Sequence, residues 1–578
     1  MLINKKYLRK ISSNITTEQL TNEIEKSKLF FIRLPNLETS EINLSMSSFP
    51  RSKIFEICKF VNYSSSIGVG KTLTFLGPLY LLPYVFQAVH KKYTFQNLIA
   101  IRLKKTELSK RFLPNEHLGA IIFSTRSIGA LNSVKKPYQY CKCCKNTVKD
   151  YGGKRHLLEK DGTRISDVWT DIPMEKNEEF SDEVLDRIYH LTRKGKNDKI
   201  NFLSLNLSNI KKWNLPSLEN QVIKKILPEV NQVKKRCLKL KTNQIFKKDV
   251  FDGFKKIPDN SVDLALVDPP YNLSIKYGKF SDKMNDLLYL EWTKKWIDEI
   301  SRTLKKGGLL TFVNIPIWSL ELFPYLQQKL TFQGWIVWDA LSFPHTPIIP
   351  AHYPILCFSK GTKMKSKPKQ KLELDQETRD FLNPLNYGYC IRSSCLSTRT
   401  LKMNRDRKIL TNLWTEVHRI RHNSFRFSHP TLMPQKLAKR IVLLFSKPND
   451  LVLDCFNGVG TTTLVAKSLS RKYLGIEKNS SYYKTSIKRH DSLKKGKDPF
   501  ARSPGKSTST EKGYREIKHQ QHVKKAELQI EVKKLAKKLG HCPSKAELRK
   551  YGKHPMKYYY DNFRDWAEIT VATRRTGI

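Results

Sequence analysis

A short apolar strand that ends in two successive prolines constrains the fold of this chain more than any other feature. In the segment SVDLALVDPPYNLSIKYG, the run from Val262 to Val267 is typical of a strand buried on both faces of a parallel sheet. The two prolines after Asp268 lack amide hydrogens and have a fixed φ, so the chain must leave the sheet in a rigid turn. The turn therefore holds Asp268 and Tyr271 at the carboxyl end of the strand, where open α/β sheets bind their ligands.

A glycine-rich turn follows much later in the chain. Residues 450–477 read DLVLDCFNGVGTTTLVAKSLSRKYLGIE, which predicts a strand, a turn with Gly458 and Gly460, a helix and a second strand. The glycines let the backbone approach a ligand closely, and the start of the helix offers free amide groups. Glu477, at the tip of the second strand, is placed to accept hydrogen bonds from ribose hydroxyls. The pattern indicates a nucleoside site in a doubly wound fold.

The proline turn and the glycine turn, in this order along the chain, resemble the two motifs of the β-group of DNA amino-methyltransferases. Enzymes of this family move a methyl group from S-adenosylmethionine to an exocyclic amine of adenine or cytosine. The resemblance covers residues 241–490 and includes Asp249, the segment His429-Pro430-Thr431 and Tyr483. It departs from the family at Leu432-Met433-Pro434, where the family has Gln-Lys-Pro, and within the glycine turn. These changes bear on cofactor affinity and not on fold.

The resemblance implies an α/β, Rossmann-like S-adenosylmethionine-dependent methyltransferase fold and a set of site residues. The catalytic residues would be Asp268, Pro269, Pro270 and Tyr271. The cofactor would be held by Asp249, Thr431, Asp454, Phe456, Asn457, Gly458, Gly460, Thr461 and Glu477. In the catalytic turn, Asp268 and the carbonyl of Pro269 would accept hydrogen bonds from the amine, while Tyr271 would stack on a base turned out of the duplex.

The identity of the first residue in the turn bears on the target base. In this family Asp at that position goes mostly with adenine and Ser mostly with cytosine, so Asp268 favours a site-specific methyltransferase that modifies N6 of adenine in DNA. Modification of N4 of cytosine is the alternative. A catalytically weakened, DNA-binding homologue is a second alternative, against which the intact turn argues.

Charge and composition favour a polyanionic partner. The chain has 105 Lys and Arg against 53 Asp and Glu, a net charge of +52, so we expect salt-dependent binding to double-stranded DNA. Its ten cysteines do not form a secreted disulfide framework. The longest apolar run, Leu79 to Phe86, is too short to span a bilayer, and the amino terminus is too polar for a signal peptide. We expect a cytoplasmic protein, nucleoid-associated in a prokaryote; a restriction endonuclease partner and the oligomeric state stay open.

The amino-terminal part of the chain repeats the middle of the catalytic domain. Four short matches occur in the same order, among them Thr94-Phe95-Gln96 with Thr331-Phe332-Gln333, and they delimit a partial duplicate at residues 72–172. Residues 1–71 are poorly defined, and residues 173–240 are predicted to be a linker. Since the duplicate lacks both turns, we expect a scaffold, a DNA-contacting arm or a pseudo-dimer partner.

The cysteines of the duplicate are candidates for a metal site. Cys141, Cys143 and Cys144 lie close together with His156 not far away, but a second Cys-x-x-Cys pair is absent. Cys390 and Cys395, in the corresponding region of the catalytic domain, have a looser spacing. We therefore favour structural or exposed thiols over a metal site, and zinc binding by Cys141, Cys143 and Cys144 stays open.

The remaining segments are interpreted from composition. Target recognition is expected in the variable, arginine- and asparagine-rich insertion at about residues 340–428. Residues 491–512 are predicted to be a flexible basic linker. Residues 513–578 predict a small helical module that resembles the helical repeat attached to homing endonucleases, which implies DNA binding. A solvated bundle or a protein-docking module is the alternative.

Overall fold

The computed structural model describes most of the chain. It covers residues 7–35, 51–67, 72–89, 91–109, 112–125, 130–148, 161–179, 181–195, 198–230, 240–277, 280–340, 347–361, 386–390, 408–420, 429–500 and 525–554, and the single positions 236, 364, 384, 392, 395, 427, 559, 563, 566, 569 and 570. Two compact units are formed. The first holds Met1–Val134, Arg164–Tyr387 and Arg405–Ser503, and the second holds Lys135–Thr163, Gly388–Asn404 and Pro504–Ile578.

The amino-terminal half of the first unit is built on a seven-stranded sheet. The strands of this part of the chain are β1 (Leu8–Lys10), β2 (Leu29–Arg33), β3 (Thr72–Gly77), β4 (Thr94–Glu107), β5 (Asn115–Ser124), β6 (Lys135–Lys136), β7 (Thr163–Arg164), β8 (Val168–Met174) and β9 (Ile200–Ser204). The helices are α1 (Thr17–Lys26), α2 (Arg51–Ser66), α3 (Leu82–Ala88), α4 (Asp182–Thr192), α5 (Leu207–Lys212) and α6 (Asn220–Ile226). The sheet order is β1-β9-β2-β3-β5-β4-β8, with β5 antiparallel to its neighbours.

The catalytic half is built on an eight-stranded sheet. Its strands are β10 (Gln244–Phe246), β11 (Val262–Val267), β12 (Lys276–Tyr277), β13 (Phe280–Ser281), β14 (Leu304–Val313), β15 (Thr331–Asp339), β16 (His352–Ser359), β17 (Leu413–Trp414), β18 (Leu451–Asp454) and β19 (Lys472–Ile476). The helices are α7 (Val250–Phe254), α8 (Asp286–Thr303), α9 (Pro316–Lys329), α10 (Gln435–Phe445), α11 (Thr461–Ser468) and α12 (Ser480–Lys494). The sheet order is β10-β19-β18-β11-β14-β16-β15-β17, with β16 antiparallel. The apolar run at 262–267 is a fully buried strand at its centre, as predicted.

The ladders of the two sheets have the same register. Thr94 pairs with Ser124 in the first sheet, and Thr331 pairs with Ser359 in the second. Two residues after each threonine a glutamine interrupts the register, so each ladder has a bulge at the same place. Bulges are specific local features, and their coincidence supports the predicted duplication.

A buried tryptophan with an arginine against its ring recurs in both halves. The guanidinium of Arg187 lies 5.0 Å from the ring centre of Trp169, and that of Arg440 lies 5.1 Å from the ring centre of Trp414. Each arginine also pairs with a carboxylate two residues after its tryptophan. Both tryptophans are fully buried, so this cluster attaches α4 and α10 to the edge of their own sheets.

The seven-stranded sheet includes residues on both sides of the predicted duplicate 72–172. Residues 1–71 contribute β1, α1, β2 and α2, and residues 173–240 contribute α4, α5, α6 and β9, which lies between β1 and β2. Residues 1–71, predicted to be poorly defined, and residues 173–240, predicted to be a linker, thus both contain regular elements of this half. Their apolar patches are strands and helices buried in the common core, but they carry no motif that sequence comparison could recognise.

The amino-terminal half lacks the groups that the catalytic half uses at its strand ends. When the two sheets are aligned by their registers, β2 corresponds to β11. Arg33, at the end of β2, then occupies the position of Asp268, which directly follows β11. Its buried guanidinium donates to the carbonyl of Lys176 at 2.6 Å. Only Leu205 and Asn206 separate β9 from α5, and neither is a glycine. Within the described residues no strand follows β9 in this half, so the counterpart of β19 is missing.

Two boundaries in the catalytic half also differ from those predicted. Strands β16 and β17 belong to the sheet, although they fall inside the predicted recognition insertion 340–428, much of which lies outside the described residues. Helix α12 continues to Lys494, and the following chain packs back, with the Arg489 guanidinium donating to the carbonyl of Pro499 at 2.9 Å. The predicted linker 491–512 therefore starts too early, and its remainder from 501 lies outside the described residues.

The carboxyl-terminal segment contains the predicted helices. They are α13 (Lys525–Leu539) and α14 (Lys545–Tyr551). Ser544 and Glu547 form the predicted capping box at the start of α14, and Gly540 ends α13 with φ of +72°. Leu528, Val532 and Leu548 form a small core with later aromatic residues. Among the helices that the structure describes, none is both long and apolar enough to cross a membrane.

Candidate functional site

A cavity of about 250 Å³ lies at the carboxyl ends of β11, β18 and β19. Carboxyl groups, aromatic rings and the glycine turn share its wall. The predicted site residues on the wall are Asp249, Asp268, Pro269, Pro270, Thr431, Asp454, Phe456, Asn457, Gly458, Thr461 and Glu477. Both predicted motifs thus face one space, although they are far apart in the chain.

The proline turn is held by hydrogen bonds from two aromatic side chains. The hydroxyl of Tyr289 donates to the carbonyl of Pro270 at 2.8 Å, and the indole of Trp318 donates to the carbonyl of Tyr271 at 2.8 Å. The rings of Tyr289 and Trp318 lie 4.9 Å apart. Because the prolines fix φ and these bonds fix the carbonyls, the turn presents Asp268 in a single geometry.

The carboxyl group of Asp268 has a pKa close to neutral pH. Burial raises its pKa to about 7, and the nearby Asp454 adds to the rise, whereas a hydrogen bond from the Tyr271 hydroxyl and the charge of Arg419 oppose it. Asp268 is half-buried and lies on the cavity wall. Its carboxyl oxygen that does not bond to Tyr271 is therefore available to a ligand.

Tyr271, for which stacking on the target base is predicted, is buried beside the cavity. Its ring is only 5% exposed, packs in the core beside Tyr353 at 6.0 Å, and is not part of the cavity wall. Its hydroxyl is directed to Asp268 instead. The Tyr271 hydroxyl thus contacts the Asp268 carboxyl group directly.

A hydrogen bond joins the glycine turn to the carboxyl group of Glu477. Gly458 has φ of +51°, and its amide donates to one carboxylate oxygen of Glu477 at 2.7 Å; the other oxygen accepts the Asn479 amide at 2.6 Å. Burial raises the pKa of Glu477 to about 7, although both amide bonds lower it. Each oxygen keeps a further lone pair for a ligand hydroxyl.

Gly460 and Asn457 support the turn from behind. Gly460 has φ of +89°, and an added Cβ would lie 2.2 Å from the Ser486 hydroxyl, so glycine is needed for close packing on α12. The amide of Asn457 donates to the same hydroxyl at 3.0 Å, and its oxygen accepts from Thr463 at 2.8 Å. Unlike the other predicted cofactor residues, Gly460 is not on the cavity wall.

The remaining predicted residues complete the wall. Asp454 accepts the Phe456 amide at 3.0 Å, and burial raises its pKa to about 6. Asp249 caps α7 and pairs with Lys478 at 3.2 Å. Thr461, at the first position of α11, has a buried hydroxyl oxygen that no hydrogen bond to the described residues satisfies. This polar atom beside the cavity is available to a ligand.

Several aromatic residues on the wall were missed by sequence reasoning. They are Tyr277, Trp292 and Tyr482, with His429 between Tyr277 and Tyr482 at 5.6 and 4.8 Å. Tyr482 faces the cavity from the first turn of α12, which Asn479 caps. The clustering of aromatic residues after the proline turn was a signal, but their side chains converge only in the folded chain.

Comparisons with known proteins agree on one family. The profile of the DNA methylase family matches residues 262–488. Type II methyltransferase M.BamHI of Bacillus amyloliquefaciens is 34% identical over 262 residues, 44% of this chain and 58% of that protein. Type II methyltransferase M1.MboII of Moraxella bovis is 31% identical over 252 residues, 42% and 94% of the two chains. DNA adenine methyltransferase YhdJ of Escherichia coli (strain K12) is 31% identical over 254 residues, 42% and 81%.

We expect Gly460→Ala to destabilise the protein more than Gly496→Ala. Both glycines have positive φ, +89° and +69°, so both substitutions introduce backbone strain of about 1 kcal/mol. An alanine at 496 meets nothing within 4 Å, whereas one at 460 must displace Ser486. Urea denaturation of both variants measures the difference. Equal losses would contradict the close packing of the turn on α12.

Proposed function

The chain belongs to the DNA methylase family, and we propose that its cavity binds S-adenosylmethionine and methylates N6 of adenine in double-stranded DNA. One observation carries the proposal: the Asp268 turn and the Gly458–Glu477 pair lie on the wall of the same cavity. A group that shapes an attacking amine and a group suited to ribose hydroxyls are therefore close together. The net charge of +52 suits a DNA substrate.

The residues of the cavity fit this cofactor in chemistry. Glu477 has lone pairs free for two ribose hydroxyls, and the buried hydroxyl of Thr461 lacks a partner within the described chain. Asp249, Asp268 and Asp454 provide negative charge, and Trp292 with Phe456 provides aromatic faces 5.5 Å apart. Carboxylates and aromatic faces both favour a positively charged sulfonium.

In the proposed mechanism the protein acts by position and charge. When bound, the cofactor supplies a methyl group on a positively charged sulfur. The carboxylate of Asp268 and the carbonyl of Pro269 accept hydrogen bonds from the target amine, which draws its nitrogen towards tetrahedral geometry. The new nitrogen–carbon bond would replace the carbon–sulfur bond of the methyl group, and the sulfur would keep that electron pair as a neutral thioether. Asp268 is placed to take the surplus proton from the nitrogen. Tyr271 and Tyr289 keep the turn in place throughout.

Adenine is proposed over cytosine because Asp268 begins the turn. Methylation of N4 of cytosine is the alternative, since the same acceptors suit either amine. A weakened, purely DNA-binding homologue is a second alternative; the complete turn and the lined cavity favour catalysis.

We expect Asp268→Ala and Glu477→Ala to separate chemistry from cofactor binding. Asp268→Ala removes the acceptor of the amine, so methyl transfer should fall by about 10² to 10³ or more while cofactor binding is nearly retained. Glu477→Ala removes the ribose acceptor and leaves the Gly458 amide unpaired, so it should weaken cofactor binding first. Transfer of a tritiated methyl group to unmethylated DNA, with calorimetric titration of the cofactor, measures both effects.

Two further results of these assays test the assignment. The titration should give one site per chain, because Arg33 and the short β9–α5 connection leave the amino-terminal half without the required groups. Digestion of the product to nucleosides identifies the methylated base. Parental activity in Asp268→Ala would overturn the catalytic assignment, whereas a cytosine product would overturn only the base preference.

We expect the rate of methyl transfer to fall as the pH is lowered through about 7. The acceptor is the Asp268 carboxylate, whose pKa is raised to about 7, so protonation removes it below that pH. Tyr271→Phe deletes a hydrogen bond that lowers this pKa, so the acid limb of kcat/KM should move to higher pH. Tyr325→Phe, which breaks a bond to Asp298 away from the cavity, is the matched control. Superimposable profiles for Tyr271→Phe and the parent would refute the positioning role.

The carboxyl-terminal helices are proposed as a DNA-binding module. Lys534, Lys537 and Lys538 lie exposed along α13, opposite the small apolar core. Changing all three to Gln should leave cofactor binding intact but weaken DNA binding, and reduce the salt slope by about 0.9 for each phosphate that is no longer neutralised. Fluorescence anisotropy with duplex DNA at several salt concentrations measures this. An unchanged slope would exclude these lysines from the DNA-binding surface.

A further inference from the structure

Four cysteines from two distant segments converge in the second unit. The sulfur atoms of Cys141, Cys144, Cys390 and Cys395 all lie within 4.8 Å of one another. Cys141, Cys390 and Cys395 are buried and Cys144 is half-buried, so the group is enclosed by protein. The neighbouring Cys143 is exposed and is not part of the group.

The spacing of the sulfur atoms is that of metal ligands and not of disulfides. The sulfurs of Cys141 and Cys395 are 3.8 Å apart, and those of Cys144 and Cys390 are 3.6 Å apart. A disulfide requires about 2.05 Å. A regular tetrahedron with zinc–sulfur bonds of about 2.3 Å has sulfur atoms about 3.8 Å apart. Both sulfur–sulfur distances in the structure are close to this tetrahedral edge.

Backbone hydrogen bonds hold the two segments in this arrangement. Cys141 and Cys144 lie at the tip of a turn, where the Cys141 carbonyl accepts the Lys145 amide at 2.9 Å. The Lys142 amide donates to the Gly388 carbonyl at 2.9 Å, and the Cys390 amide donates to the Cys141 sulfur at 3.4 Å. An amide directed at a sulfur stabilises a thiolate, the form that binds metal.

We propose that Cys141, Cys144, Cys390 and Cys395 bind one zinc ion in a closed, structural tetrathiolate site. Four sulfur ligands fill a tetrahedral coordination shell and leave no position for water or substrate. Soft thiolates select zinc over the oxygen-preferring cations. Each thiol releases its proton to solvent as the ion binds.

The two ligand pairs come from equivalent places in the duplicated chain. Cys141 and Cys144 lie between β5 and β8, whereas Cys390 and Cys395 lie between β16 and β17, the corresponding strands of the other half. Each of these two connections, both in the second unit, thus provides two ligands. The ion ties together two connections that are remote in sequence, one of which belongs to the region expected to recognise DNA. The preference for structural or exposed thiols over a metal site came from searching for a second Cys-x-x-Cys pair, whereas the second pair has four residues between its cysteines.

Metal content of the full-length protein tests the proposal. The parent protein is purified from zinc-supplemented cells under reducing conditions. Inductively coupled plasma mass spectrometry should then measure one zinc ion per chain. Cys390→Ser should lose the zinc, whereas the matched control Cys143→Ser should keep it. Cobalt added to the metal-free parent should give the intense sulfur-to-cobalt charge-transfer bands of a tetrahedral thiolate site. This last readout needs no variant, so it decides the matter even where Cys390→Ser fails to fold.

Three results would overturn the proposal. The first is a parent protein that holds neither zinc nor added cobalt. The second is a pair of disulfides joining these four cysteines in the reduced preparation, detected by peptide mass spectrometry. The third is stoichiometric iron in place of zinc, which would keep the tetrathiolate geometry but reject the ion.

Discussion

Equivalent hydrogen bonds run in both directions between the two halves of the first unit and join them. Asp167, just before β8, accepts the amide of Ala351 at 2.7 Å; its counterpart Asn412, just before β17, accepts the amide of Glu116 at 2.9 Å. Two buried histidine rings repeat the exchange at backbone carbonyls of the opposite half, at 3.1 and 3.2 Å. Such reciprocity is the mark of an isologous, two-fold interface. Of the three roles expected for the duplicate, a pseudo-dimer partner agrees best with this geometry.

The candidate active site combines rigidity with buried negative charge. Asp268, Asp454 and Glu477 share one cavity, and burial raises the pKa of all three. Grouping carboxyl groups in this way disfavours their ionised forms, and a positively charged ligand offsets that cost. The proline turn and the Gly458 amide hold two of these groups in position before any ligand binds. Preorganisation of this kind is what a reaction controlled by position and charge requires.

Sequence reasoning succeeded where the chemistry is local. The strand before Asp268, the strand–turn–helix around Gly458 and the capping box at Ser544 each depend on neighbouring residues, and each is found as predicted. It failed where contacts are long-range. The burial of Tyr271 under the cavity is decided by Tyr353 and Trp318, which arrive from other strands and helices. Strands β2 and β9 carry no recognisable motif because a buried strand needs only apolar residues of suitable size.

Because the two halves belong to one chain, equivalent positions in them can carry different residues. In a dimer of identical subunits, any residue at the position of Asp268 would occur twice, and Arg33 could not coexist with it. A covalently linked pair keeps its partner at a fixed effective concentration, so the association does not weaken on dilution. One half is therefore free to differ from the other at its strand ends, provided that it keeps the residues that bond to its neighbour. The buried Arg33 shows this asymmetry, because it places a guanidinium where the other half has the carboxyl group of Asp268.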